Sequence, residues 1–104
     1  MFNNDRDGDA GGVVSIALDV ASVAANTSAE QTFTVPGLST DMVVFVNKPS
    51  LNAGLVVGNA RVSAKNTLAL TFGNSTAGAI DPASETYKIL WIKANKISTG
   101  AAQL

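Results

Sequence analysis

The sequence predicts an all-β protein: an antiparallel β-sandwich or small barrel of six to seven short strands. Three observations predict it. Apolar and polar residues alternate with a period of two through most of the chain. Turn-forming Gly, Pro and Asn recur at intervals of about 8–12 residues. No strand-then-helix alternation appears, which removes a parallel sheet with crossover helices. The 104 residues suit one domain. A chain of this size buries roughly 65% of its unfolded surface, enough for one modest core. Residues 1–12 are expected to be a flexible N-terminal arm, 13–93 the domain, and 94–104 a C-terminal tail.

The elements follow in order. "MFNNDRDGDAGG" holds three Asp, three Gly and only two large apolar residues, Met1 and Phe2. From residue 13 to 20, Val14, Ile16, Leu18 and Val20 share one face, and Ser15, Ala17 and Asp19 the other. "ASVAANTSAE" has the alanine content of a weak helix. Its few large apolar side chains favour a connection or an edge strand. "QTFTV" alternates again, with Phe33 and Val35 inward, and Pro36-Gly37 ends it. In "DMVVFVNKP", Met42, Val44 and Val46 point one way, Val43 and Phe45 the other. Both faces are apolar, so this strand is either central or covered by a partner. "GLVVGNARVSA" and "TLALTFGN" flank Lys65-Asn66 as the clearest hairpin. "STAGAIDPAS" is a loop long enough to carry binding. "ETYKILWIK" places Tyr87, Ile89 and Trp91 on one face, with Lys88, Leu90 and Ile92 on the other.

Composition narrows the function. There is no His and no Cys. That closes Ser-His-Asp and Cys-His catalysis, imidazole and thiolate zinc sites, and any disulfide framework. Of the eight acids, only Asp5, Asp7 and Asp9 cluster. They alternate as calcium-loop ligands do, but Gly8 falls between the second and third Asp instead of after the third, and Ile16 stands where a bidentate Glu belongs. No cofactor is expected, and no catalytic or metal site. The glycines match no phosphate-binding spacing. Net charge is −1 with the basic residues scattered, which disfavours nucleic acid. No segment reaches the ~20 apolar residues of a membrane helix. Charged residues are only 14%, against a typical ~25%. Two readings explain that shortage: surface covered by copies or partners, or an ordinary Ser/Thr/Asn-rich β surface. Trp91 with Tyr87 could form an aromatic platform, although strand spacing on one face favours the core.

Residues 33–93 also carry a family resemblance. Thr34–Leu38 and Asp41, Val44 and Val46–Pro49, then Ala60–Ala64 and Thr67–Ala69, form its first half. Phe72, Asn74, Thr76, Ala77, Ile80, Pro82, Ser84 and Tyr87 form its second. In this pattern the chain resembles small β-rich structural modules of tailed bacteriophages, found in capsid decoration (cement) proteins and tail-fibre-associated proteins. The resemblance implies a non-enzymatic virion protein on the capsid surface, made in the host cytoplasm. It would bind the major capsid protein and itself, with a homotrimer favoured. The alternative it implies is a tail, collar or fibre adhesion domain that contacts a host glycan, with an exposed aromatic near residues 75–84. The candidate interface residues are Met42, Val43, Val44 and Phe45 for self-association, and Phe2, Asp5, Asp7 and Asp9 for contacts of the arm. The plain alternatives are a core strand for the first group and a solvated tail for the second.

Overall fold

A computed structural model describes residues 10–94. Six antiparallel strands form two three-stranded sheets. In chain order they are β1 (Gly11–Leu18), β2 (Thr27–Thr34), β3 (Met42–Asn47), β4 (Leu55–Ala64), β5 (Thr67–Asn74) and β6 (Glu85–Lys93). One sheet has the order β1-β6-β3 and the other β2-β5-β4. The result is an open two-sheet sandwich and not a closed barrel. Phe2, Asp5, Asp7 and Asp9 lie outside the described residues.

The core is built from the inward set of each strand. Leu18, Val44, Tyr87 and Ile89 come from the first sheet; Leu55, Leu68, Leu70 and Phe72 come from the second. The connections add Val20, Val23, Val35 and Leu38. Each fully buried aliphatic or aromatic side chain is worth about 1.5–3 kcal/mol of transfer free energy. β6 shows the period-two rule clearly: Tyr87 and Ile89 are buried, while Lys88 and Leu90 are exposed.

Local chemistry fixes the connections. The β4–β5 turn places Asn66 at φ 59°, a left-handed conformation that Asn tolerates. That turn docks on the Pro36-Gly37 bend. Val35 N–H donates to the Asn66 carbonyl at 2.8 Å, and Gly37 N–H donates to Asn66 Oδ1 at 2.9 Å. Gly58 and Asn59 lie in a β-bulge between the Val57–Phe72 and Ala60–Leu70 pairs. "ASVAANTSAE" is a connection that becomes strand at Thr27, and Val23 forms an isolated bridge to Ile80.

Two expectations are corrected. β1 begins at Gly11, so the strand starts two residues before the expected boundary; Gly11 pairs with Ile92 and Gly12 with Trp91. A Cβ on Gly12 would meet the Trp91 ring at 2.9 Å, so the indole lies directly on the glycine backbone. β3 is also not central. It is an edge strand, paired on one side by β6 alone.

Candidate interaction surface

Strand register assembles the surface row by row. Val13 on β1 sits opposite Leu90 on β6, and Leu90 sits opposite Phe45 on β3. The next row is Gly11, Ile92 and Val43. Directly opposite residues share a sheet face, so both rows lie on the outer side of the β1-β6-β3 sheet. Val13 is 63% exposed, Phe45 56%, Val43 48% and Leu90 42%. Together they make a contiguous apolar patch on the order of 400 Å². Ser15, Lys88 and Asn47 form the following row and give the patch a polar rim.

Val43 and Phe45 are therefore surface residues, as an interface requires. Val44 is not: the whole residue is only 4% exposed and belongs to the core. Met42 is half-buried against the same core. Strand alternation explains the split, because neighbours in a strand face opposite sides. Val13 and Leu90 complete the patch. Sequence reasoning missed Val13 altogether as a surface residue, because only register brings β1 beside β6.

The polar side chains are committed elsewhere. Lys48 Nζ lies 2.8 Å from Glu85 Oε2, with both side chains largely buried. That contact falls outside hydrogen-bond geometry, so it is an ion pair. Ser50 Oγ donates to Glu85 Oε1 at 2.7 Å, and Lys48 donates to Asn52 Oδ1 at 2.6 Å and the Ser50 carbonyl at 2.8 Å. The Lys48 ammonium beside it, and then the Ser50 hydroxyl, hold the Glu85 carboxyl below its ordinary pKa. Burial pushes the Tyr87 phenol up, with Glu85 adding to the effect. The Tyr87 hydroxyl is buried without a hydrogen-bond partner among the described residues.

The loop considered for binding is packed. Asn74, 3% exposed, donates to the carbonyls of Val23 and Gly78 at 3.0 and 2.9 Å. Its Oδ1 accepts from Thr76 N–H and Oγ1 at 2.9 and 2.7 Å. One amide thus satisfies four groups and fixes the loop, and Pro82 is fully buried. The aromatic platform does not form, because Tyr87 is wholly buried. Trp91 is half-buried beside a cleft of about 310 Å³ that Gly12, Pro36 and Leu38 help line. It stands six residues along β6 from Glu85, roughly 20 Å from the strand end where residues 75–84 enter.

Among the described residues no cluster of three or more Asp or Glu has the arrangement of a metal site. Comparison with protein-family models, curated proteins and solved structures returned no match. Fold and surface define a two-sheet all-β protein with one apolar outer face.

Proposed function

We propose that this protein is a non-enzymatic structural component of a virus particle, a capsid decoration protein that docks on the shell through the outer face of β1-β6-β3. The observation that carries the reading is the contiguous Val13–Leu90–Phe45 row with Val43 beside it. The largest apolar patch on a small monomer is often functional. The resemblance to phage structural modules supplies the kind of partner: the major capsid protein, contacted at the virion surface. Size supports the setting. A stable one-to-one complex covers about 800 Å² on each partner, and this patch offers about half that. Such a contact suits a lattice, where many modest contacts act together.

Co-sedimentation with shells assembled from the major capsid protein of the same genome tests the reading. Saturable binding by the wild-type chain and its loss in Leu90→Lys support it. Leu90 sits on the middle strand, so the change alters the face without touching a sheet edge. A wild-type chain that stays in the supernatant at every concentration refutes it.

A further inference from the structure

The two edges of the β1-β6-β3 sheet differ. β3 lies against β4, Val44 is buried, and the Met42 N–H donates to the Ser39 carbonyl at 3.0 Å, so that edge is occupied. The β1 edge is open. Among the described residues β1 pairs with β6 alone, and Gly11, Val13, Ser15 and Ala17 are all exposed. Alternation of backbone groups shows what this edge offers. Lys93 N–H donates to the Ala10 carbonyl at 2.8 Å. Ala10 therefore directs its backbone toward β6, and so do Gly12, Val14 and Ile16. Gly11, Val13, Ser15 and Ala17 turn their N–H and C=O groups outward, and among the described residues these groups have no partner.

Natural edges are usually guarded by charge, proline, bulges or cover. β1 has none of these: "GGVVSIAL" contains no charge and no proline, and its register with β6 is unbroken. The cleft of about 310 Å³ opens beside this edge, with Gly12, Val14 and Trp91 on one side and Pro36, Gly37 and Leu38 on the other. Gly12 brings no side chain to it. Four residues along the same strand, Ile16 projects toward the same inward side and is only half-buried.

We propose that β1 pairs antiparallel with β1 of a second copy about a two-fold axis at Val14, joining the two sheets into one of six strands. Facing must be conserved across the axis, so residues of the outer face must oppose residues of the outer face. This register sets Val14 opposite Val14, Val13 opposite Ser15, and Gly11 opposite Ala17 of the second copy. All four outward backbones then enter hydrogen-bonded pairs, about eight bonds in all. It also sets Ile16 opposite Gly12, a non-hydrogen-bonded pair, in which side chains come closest. Each copy thus inserts Ile16 into the other's cleft, over Gly12 and beside Trp91. The neighbouring two-fold registers leave Gly11 or Ala17 unpaired and carry Ile16 away from Gly12. β1 holds no charge, so no like charges meet along the seam. The inference goes beyond the docking reading and does not depend on it. The seam uses an edge and a cleft, and leaves Leu90, Phe45 and Val43 clear for a shell.

The chain has no cysteine, so engineered thiols report register cleanly. Val13 and Ser15 of the second copy would stand about 5.5 Å apart at Cα, inside disulfide reach. Mild oxidation of mixed V13C and S15C chains is expected to give heterodimers roughly tenfold faster than either variant alone, whose thiols would be a diagonal step apart. Light scattering without any shell is expected to give twice the chain mass for wild type and one chain mass for Ser15→Pro. Proline there removes an outward N–H that the folded monomer does not use. Trp91 is the only tryptophan, so its emission is expected to lie further to the red in Ser15→Pro, where Ile16 has left the cleft. Circular dichroism confirms that the variant is folded; if it is not, the crosslinking comparison stands alone. A wild-type monomer, a trimer, equal Trp91 emission from dimer and folded monomer, or S15C linking to itself as fast as to V13C overturns the pairing. Shell co-sedimentation is read separately. Failure there with an intact dimer defeats the docking reading and leaves the pairing standing.

Discussion

The two outward faces of this sandwich have opposite chemistry. On β2-β5-β4, Thr32, Thr34, Thr67 and Thr71 dominate, and Arg61 reaches across β5 to Glu30. That contact is bidentate: Nε to Oε2 and Nη2 to Oε1, both 2.8 Å. Ala69, facing outward between those strands, is fully buried. Apart from Val56, which is 62% exposed opposite Gly73, the face is polar and its charges are paired with each other. On β1-β6-β3 the corresponding positions hold Val13, Leu90, Phe45 and Val43, and among the described residues they are exposed. Both sheets share one core, so folding requires only the inward residues. The difference teaches that the outward apolar rows are surplus to the fold and available to a partner.

The largest expected effect sharpens that contrast on adjacent residues. Ile89 is fully buried, and its neighbour Leu90 faces outward. Ile89→Ala should cost about 2–4 kcal/mol, since it removes methylenes and leaves a cavity between the sheets. Leu90→Lys should stay within about 0.5 kcal/mol of wild type, as surface changes usually do. Urea unfolding monitored by Trp91 fluorescence measures both. If Leu90→Lys destabilises as much as Ile89→Ala, the outer row belongs to the fold and the contrast collapses.

A smaller effect concerns the Lys48–Glu85–Ser50 network at the start of β6. Its carboxyl is held below the ordinary glutamate pKa, chiefly by the Lys48 ammonium beside it. A carboxyl with a depressed folded pKa stabilises the protein above its unfolded value, near pH 4.3, and loses that contribution as pH falls through the folded value. Wild type should therefore lose thermal stability on acidification below that point. Glu85→Gln should start lower at neutral pH and fall less steeply, because this site no longer titrates. Identical acid profiles for the two proteins would show that the network does not couple to folding.

Much of this organisation is legible in the sequence, and the limits are physical. Period-two alternation assigns Val14, Ile16 and Leu18, then Tyr87 and Ile89, to the core, because facing is a local property of the strand. The Lys65-Asn66 turn is equally local. The position of β3 is not, since the order β1-β6-β3 comes from pairing between residues some forty to eighty positions apart. A doubly apolar strand reads the same whether it is central or a partner-facing edge. Val43 and Phe45 can therefore be picked out, but not separated from Val44 by role, and Val13 cannot be joined to them. Asn74 is hidden for another reason: a polar residue ahead of Ser-Thr reads as a turn until its four hydrogen bonds are seen.

The smallest effect is expected on the polar face. Bonding to Arg61 holds the Glu30 carboxyl below its ordinary pKa, yet the pair is solvent-exposed, and exposed pairs are weakened by salt and by side-chain entropy. Arg61→Ala and Glu30→Gln, alone and together, should shift the thermal midpoint slightly at low salt and hardly at all near 1 M salt. Solution mass and shell co-sedimentation should match wild type, because neither residue borders the Val13–Leu90–Phe45 row. Arg61 also lies over Ala69, so Arg61→Met keeps the apolar stem while removing the charge and separates the two contributions. If the double variant changes the solution mass, the polar face is an interface too, and the asymmetry between the two sheets no longer marks where a partner binds.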